Sequence, residues 1–211
     1  MELLIELSNA VQRGKSKEVV RIVQEALEND ISAQQILDEG LLDGMSKIGV
    51  KFKNNEVYVP EVLVAARAMN KGTELLKEKL ANEGVEALGT VVIATVEGDL
   101  HDIGKNLVRM MMEGAGFTVV DLGTDVPGDK IVEAIKEYNP DILALSALLT
   151  TTMEQQGIVV QAVEDAGLRD KVKIMVGGAP ITQSFCEKIG ADYYTTDAAS
   201  AAEVAKSIVA S

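Results

Sequence analysis

The chain of 211 residues has a single cysteine, no tryptophan and an aromatic content of only 3%. Because Cys186 is alone, the sequence excludes an internal disulfide and any cluster of cysteine ligands around a metal. No apolar run is long enough to span a bilayer, and the first residues are acidic and amphipathic, unlike a signal peptide. We therefore expect a cytoplasmic protein with no membrane segment.

Positive charge is also scarce. Lysine and arginine together number 20, against 33 aspartate and glutamate residues, which gives a net charge of −13. Binding to a phosphate backbone needs a basic surface, so the composition argues against general nucleic-acid binding. Hydrophobic residues nevertheless make up 47% of the chain, which suffices for a packed globular interior.

The spacing of apolar residues divides the chain into two parts. Up to about residue 80, apolar residues recur at helical spacing in four stretches. Ser16 and Ser32 are suited to cap the second and third helices, and Pro60 is suited to open the fourth. We predict a four-helix bundle, a helical cap domain of residues 1–85.

The second part, residues 88–211, alternates short apolar strands with helical stretches. Such alternation is typical of a parallel sheet covered by helices on both faces. We therefore predict an α/β fold, with the bundle followed by a flavodoxin-like (Rossmann-type), doubly wound domain of five parallel strands. The predicted strands are 89–96, 117–122, 142–146, 172–176 and 192–195.

The one histidine, His101, lies between the first predicted strand and the helix that follows it. Ligand sites of α/β proteins occur in such strand-to-helix loops. Asp99 can bind one ring nitrogen and leave the other free for a metal, which is how carboxylates orient metal-ligating histidines. Considered alone, however, this segment is better explained as a surface histidine beside an acidic neighbour.

Polar and glycine-rich elements also follow the neighbouring strands. The third predicted strand ends at Ser146 and is followed by Thr150 and Thr152, and the fourth ends at Gly177-Gly178. Ligands bind at the carboxyl ends of parallel strands, so we expect these elements to converge with the histidine on one site. Each also has an ordinary explanation, since serine and threonine cap helices and paired glycines allow tight turns.

Three of these elements together resemble the cobalamin-binding signature shared by cobalamin-dependent methyltransferases and some mutases. They are Asp99-x-His101-x-x-Gly104, Ser146-x-Leu148 and Gly177-Gly178. The predicted bundle looks like the cap that covers cobalamin in the methyltransferases. In size and layout the chain is similar to the free-standing corrinoid proteins of anaerobic methyltransferase systems, which serve methanol, methylamine, glycine betaine or O-demethylase enzymes.

The resemblance implies that cobalamin binds base-off and His-on, with His101 as the lower ligand of cobalt in place of the cofactor's dimethylbenzimidazole. Asp99 would orient this histidine, and Thr152 best matches the hydroxyl residue that completes a proton relay. The nucleotide tail of the cofactor would lie between the first and third strands. The implied cofactor-binding residues are Gly98, Asp99, Leu100, His101, Asp102, Ile103, Gly104, Ser146, Leu148, Thr150, Gly177, Gly178 and Ala198.

The function implied by the resemblance is that of a methyl carrier, with the cofactor as methylcobalamin or cob(I)alamin. One substrate-specific methyltransferase would load the methyl group, and a second would pass it to an acceptor such as tetrahydrofolate or a thiol. A reductive activator protein is a further implied partner. The chain is then a corrinoid subunit of a methyltransferase system rather than a complete enzyme, since it has no second histidine for acid–base chemistry.

Other residues are candidates with good structural explanations. The candidates to cover the upper face of the cofactor are Met45, Val59, Glu61 and Val62. Apolar residues at helical spacing, however, more often form a bundle core. Asp102 and Lys105 fit the motif but also suit the start of a helix, and turn roles suffice for Asp121 and Asp125 after the second strand.

Three other functions stay open. A cobalamin-sensing regulator can combine a helical bundle with the same cobalamin domain, but such regulators usually carry a basic DNA-binding segment and a tryptophan-containing cap motif. The small subunit of a cobalamin-dependent mutase would leave the helical bundle unexplained. A receiver-like or flavodoxin-like module without a cofactor would not bind cobalamin.

Overall fold

The computed structural model describes residues 2–210. The chain divides into two compact units. The first ends at Ala87 and also includes Gly114–Gly116, and the second begins at Leu88. Among the described residues, none of the helices combines the length and the apolar character that crossing a membrane requires.

The first unit is helical, as the apolar spacing predicts. The third predicted helix, however, is not a regular α-helix, because a π-helical segment of seven residues interrupts it, and the apolar spacing had not predicted this widening. The helices are α1 (Glu2–Gln12), α2 (Ser16–Glu28), α3 (Ala33–Gln35), the π-helical segment Ile36–Leu42, α4 (Asp43–Lys53) and α5 (Val59–Glu83).

Glycine allows two of these helices to approach closely. A Cβ atom at Gly44 of α4 would lie 2.8 Å from the carbonyl oxygen of Ser8 in α1. The same two helices share a polar contact, since the Ser8 hydroxyl donates to Asp43 at 2.6 Å and Lys47 donates to that carboxylate at 2.6 Å. A small residue at the crossing and a fixed polar contact together set the register of α1 on α4.

The second unit is the predicted five-stranded parallel sheet, in the order β2-β1-β3-β4-β5. The last strand has two residues, half the predicted length. The strands are β1 (Thr90–Thr95), β2 (Thr118–Asp121), β3 (Ile142–Ser146), β4 (Lys173–Gly177) and β5 (Tyr193–Tyr194). The helices are α6 (Ile103–Glu113), α7 (Gly128–Tyr138), α8 (Glu154–Asp165), α9 (Gln183–Ile189) and α10 (Ala198–Val209).

Helices cover both faces of this sheet. Helices α6 and α10 pack beside each other, and α8 packs between α7 and α9. Strands β1, β3 and β4 are largely buried, so their apolar runs lack the alternation of a half-exposed strand. Cys186 belongs to this core, as expected for a structural thiol, and burial raises the pKa of its thiol.

The register of the strands aligns their carboxyl ends. Thr95, the last residue of β1, pairs with Ser146 of β3, and Ser146 pairs with Gly177 of β4. The chain runs from β1 to β2 on one side and then crosses to β3 on the other, which makes the gap between β1 and β3 the switch point. The loops that follow these strands therefore lie at one edge of the sheet.

Candidate functional site

His101 lies in the loop between β1 and α6, and half of its side chain is exposed. Its Nδ1 lies 2.7 Å from Oδ1 of Asp99, and its backbone N–H donates to the same oxygen at 3.0 Å. Because an ionised carboxylate only accepts hydrogen bonds, Nδ1 carries the ring proton. Nε2 then has the free lone pair, and within residues 2–210 no hydrogen-bond partner occupies it.

Asp99 is fully buried, with none of its side chain exposed. Its second carboxylate oxygen, Oδ2, accepts the backbone N–H of Leu148 and the hydroxyl of Thr152, both at 2.7 Å. Burial by itself raises the pKa of this carboxyl, but the hydrogen bonds from Thr152, Leu148 and His101 outweigh it and hold the pKa well below its usual range. Asp99 is therefore a buried anion at neutral pH.

Thr152 completes a chain of three side chains. It is buried, and its Oγ1 also lies 3.1 Å from the carbonyl oxygen of Leu149. A hydroxyl has one proton, and the ionised carboxylate of Asp99 is the stronger acceptor. The structure thus brings together the three residues to which the resemblance assigns a catalytic role, across 53 positions of sequence.

Four large apolar residues close in sequence to His101, or to the residues that hold Asp99, are exposed. Leu100 and Ile103 are each 74% exposed, and Leu148 and Leu149 are each 41% exposed. Leu100 directly precedes His101 in the loop, Ile103 is the first residue of α6, and the backbone N–H of Leu148 donates to Asp99. Exposed apolar residues grouped around a polar centre are typical of a ligand site.

The other predicted binding residues lie at the ends of the same strands. Ser146 is half-buried at the end of β3 and Thr150 is exposed. Gly104 lies in the first turn of α6, and apart from its neighbours in that turn no atom of residues 2–210 lies within 4 Å of a Cβ built on it. Asp102 precedes α6 and accepts the side-chain amide of Asn106 at 3.1 Å. Of these residues, Gly104 is the one at which the structure shows open space for a ligand.

Two predicted residues have a structural explanation within the chain. Gly178 has a φ of +131°, and a Cβ atom there would overlap the carbonyl oxygen of Ala147, so the fold itself requires glycine. Ala198 is buried at the start of α10, directly after the helix cap Asp197. Neither residue needs a ligand to account for its identity.

Lys105 forms a buried ion pair that the sequence did not predict. Its side chain is 2% exposed, and its Nζ lies 2.6 Å from both carboxylate oxygens of Asp121, at the end of β2. The same carboxylate accepts the backbone N–H of Gly123 at 2.9 Å. A buried charge of this kind persists only when it is paired, so the contact fastens the start of α6 to β2.

Gln156 is a second residue without a sequence signal. It is fully buried in α8, and its Nε2 donates to the carbonyl oxygens of Leu145 and Gly177 at 3.1 and 3.0 Å. Within the described part of the chain its Oε1 has no partner. A lone polar residue on the buried face of a helix is the only pattern that could have suggested this bridge between β3 and β4.

The residues proposed to cover the upper face of the cofactor are of two kinds, buried and at least partly exposed. Met45 and Val62 are buried, with 1% and 0% of their surfaces exposed. Val59 is half-buried, and Glu61 is exposed and accepts the backbone N–H of Tyr58 at 3.1 Å, which caps α5. Core packing accounts for Met45 and Val62, and capping of α5 accounts for Glu61.

The chemistry of the site fits a metal that brings most of its own ligands. No group of three or more His, Cys, Asp or Glu side chains in residues 2–210 could hold a metal ion. The site offers one imidazole nitrogen, oriented by a buried carboxylate, with exposed apolar residues nearby in sequence. A cofactor that supplies most of its metal's ligands would need one more from the protein, which His101 could provide, so the residues present fit cobalamin.

Comparisons with known proteins agree with this fit. Two family models described as B12 binding domains match the chain, one over residues 89–205 and one over residues 3–77. The chain is 44% identical to the dimethylamine corrinoid protein of Methanosarcina barkeri over 211 residues, covering 99% of this chain and 98% of the relative. It is also 44% identical to trimethylamine corrinoid protein 1 of Methanosarcina acetivorans over 195 residues, covering 92% and 90%.

A solved structure extends the similarity to the fold. A chain in the crystal structure of the methanol:cobalamin methyltransferase complex from Methanosarcina barkeri superposes with a TM-score of 0.90 at 33% identity. The match covers 99% of this chain and 80% of that one. The chain therefore belongs to the B12-binding family of corrinoid proteins, and cobalamin is its cofactor.

Proposed function

We propose that this protein carries a methyl group from a methylamine-specific methyltransferase to a second methyltransferase, with cobalamin bound base-off and His-on. One observation supports this most directly: half of the His101 side chain is exposed and its Nε2 has no hydrogen-bond partner in residues 2–210, while Nδ1 is held by the buried carboxylate of Asp99. The names of the dimethylamine and trimethylamine relatives support a methylated amine as the methyl donor.

Cobalamin supplies a cobalt centre that is nucleophilic when reduced and that accepts and gives up a methyl group. The role of the protein is to set the basicity and position of Nε2 of His101. A carboxylate that accepts the Nδ1 proton makes the imidazole a better donor at Nε2 and fixes its tautomer. The apolar side chains of Leu100, Ile103 and Leu148 would exclude water beside it.

The Asp99–Thr152 contact gives the histidine a way to hold a proton. When Nε2 is not bound to a metal, it can take up a proton and form an imidazolium. The low pKa of Asp99 keeps that carboxylate charged, so it stabilises the imidazolium, and Thr152 donates to its other oxygen. Release of His101 from the metal would thus be coupled to the uptake of a proton at Nε2.

The remaining partners follow from the same proposal. A second methyltransferase would move the methyl group to an acceptor such as tetrahydrofolate or a thiol, and a reductive activator protein would restore the reduced state after accidental oxidation. We propose that all of them work in the cytoplasm. The free, buried Cys186 is in keeping with a reducing compartment.

The test of His-on binding uses the fact that the chain has one histidine. Protein is reconstituted anaerobically with cobalamin, and the electron paramagnetic resonance spectrum of the Co(II) form is recorded with natural and 15N-labelled histidine. Coordination by His101 predicts that the nitrogen splitting changes from a triplet to a doublet on labelling. An unchanged triplet would show that the cofactor keeps its own base. The His101→Ala variant is expected to lose the labelled pattern altogether.

The methyl donor is tested by a transfer assay. Reconstituted protein in the reduced state is mixed with purified methyltransferases specific for dimethylamine, trimethylamine and methanol, each with its substrate. Methylation by a methylamine enzyme, and none by the methanol enzyme, is the expected result. Methylation only by the methanol enzyme would refute the proposed donor class and leave the carrier function intact.

A further inference from the structure

The loop that presents His101 has no regular secondary structure between residues 97 and 102. The contacts of Asp99 and Thr152 fix the histidine ring and one carboxylate, but a ligand must be placed to within a fraction of an ångström to bind a metal well. The Asp99 carboxylate also holds the backbone N–H of His101, but neither contact reaches the carbonyl of His101 or the backbone of Gly98. Two further residues hold that backbone.

The first is Thr95, the last residue of β1. It is fully buried, and its hydroxyl donates to the carbonyl oxygen of His101 at 2.9 Å. Its own backbone is held on the neighbouring loop, because its N–H donates to Gly123 at 2.9 Å and its carbonyl accepts from Val126 at 3.1 Å. The hydroxyl is therefore a fixed donor at the end of the sheet.

The second is Asp125, in the loop after β2. Its carboxylate accepts the backbone N–H of Gly98 at 2.7 Å, and its own backbone N–H donates to the carbonyl oxygen of Asp99 at 2.9 Å. Two hydrogen bonds of opposite direction therefore hold the two residues at the start of the His101 loop.

The backbone of Asp125 is in the left-handed region, with a φ of +55°. The other non-glycine residues with positive φ among those described each follow the end of a helix, where this conformation is usual: Asp30, Asn55 and Asn139. Asp125 follows a strand, so helix termination does not explain it. Its two contacts with the His101 loop account for the left-handed backbone of Asp125.

We propose that Thr95 and Asp125 are positioning residues that clamp the backbone of the His101 loop and thereby keep the ring where Asp99 can fix its tautomer. The metal-binding part of this inference rests on the proposed function. The clamp is distinct from the Asp99–Thr152 chain, because it contacts only main-chain atoms of Gly98, Asp99 and His101.

The test compares variants that break the clamp with variants that keep it. Thr95→Val removes the hydroxyl at nearly constant volume, and Thr95→Ser retains it. Asp125→Ala removes the acceptor and disfavours the left-handed backbone, and Asp125→Asn retains both features. The matched controls are Thr118→Val, an exposed strand threonine, and Asn139→Ala, which removes a left-handed residue from the end of α7.

The first readout needs no cofactor. Because the chain has one histidine, the ring nitrogens of His101 give unambiguous NMR signals. Wild-type protein, Thr95→Ser, Asp125→Asn and both controls should show one Nδ1-protonated tautomer. Thr95→Val and Asp125→Ala should show exchange-broadened signals or a mixture of tautomers. Signals in these two variants that match the wild type would overturn the clamp.

The second readout is cobalamin binding with the labelled-histidine spectrum. Thr95→Val and Asp125→Ala should bind cobalamin about tenfold more weakly, the effect of one lost hydrogen bond, and show a smaller fraction with histidine coordination. Equal weakening in Thr118→Val and Asn139→Ala would refute a specific role. If no protein, wild type included, shows histidine coordination while the NMR effect is present, the proposed function fails and the clamp stands.

Discussion

The substitution Gly104→Ala should show whether glycine at this position is required for folding or for cofactor binding. Gly104 lies in the first turn of α6, its φ is not positive, and a Cβ built there meets no atom of the described residues within 4 Å beyond its own helical turn. Replacing glycine by alanine inside a helix stabilises it by up to about 1 kcal/mol, and less in the first turn. We therefore expect Gly104→Ala to unfold with a free energy equal to that of the wild type or up to about 0.5 kcal/mol higher.

Cobalamin binding, in contrast to stability, should be weakened by Gly104→Ala. If the cofactor approaches the loop closely, the added methyl group overpacks the contact at a cost of about 1–3 kcal/mol, which weakens cobalamin binding by roughly 5–150-fold. The assay pairs urea unfolding of cofactor-free protein with titration of reduced cobalamin under anaerobic conditions. A variant that folds normally and binds cobalamin with unchanged affinity would refute the reasoning that glycine at this position makes room for the ligand.

Three further predictions concern stability. Gly178→Ala should cost about 2–5 kcal/mol in urea unfolding, because the Cβ overlaps the carbonyl of Ala147 at a positive φ; a loss below about 1 kcal/mol would contradict this. Lys105→Met should cost about 2 kcal/mol, because the half-buried carboxylate of Asp121 loses its main partner and keeps the Gly123 N–H and Arg109 at 3.7 Å. Lys130→Met at an exposed pair should change little, and equal effects would contradict the first estimate. Burial raises the pKa of Asp197, but hydrogen bonds from the Ser200 N–H and hydroxyl and from the Thr196 hydroxyl outweigh it and lower the pKa below the unfolded value. Asp197→Ala should therefore cost about 1 kcal/mol at pH 7 through loss of the cap of α10, and the difference from wild type should shrink as the pH falls below about 4; a difference independent of pH would refute the assignment.

The regular elements were predictable because their signals are local. Helical spacing in the first part and short apolar runs in the second depend on neighbours within one or two turns or a few strand residues. The π-helical segment Ile36–Leu42 was not predicted, since its apolar residues fit an α-helical stripe equally well. The prediction of β5 was too long because a two-residue pairing leaves almost no periodicity to detect.

The site was predictable only in part. His101, Asp99 and the strand-end residues could be proposed because motif residues at the ends of parallel strands meet at one edge. Thr95 was not proposed, since a threonine that ends an apolar strand has the same pattern as any β-branched strand residue. Asp125 had been explained as a turn residue, and nothing in its sequence context indicates that its carboxylate binds Gly98, 27 positions away.

The sequence by itself determined the two kinds of architecture, the one histidine that can bind a metal and the carboxylate two residues before it. Only the tertiary structure decided what surrounds that pair. It placed Leu148 and Thr152 on Asp99 across 49 and 53 positions, and it assigned Gly178 to a close backbone contact within the chain. The reason is physical: the spacing of apolar residues records neighbours along the chain, whereas the pKa of Asp99 and the direction of the free Nε2 depend on groups that meet only when β1 and β3 pair.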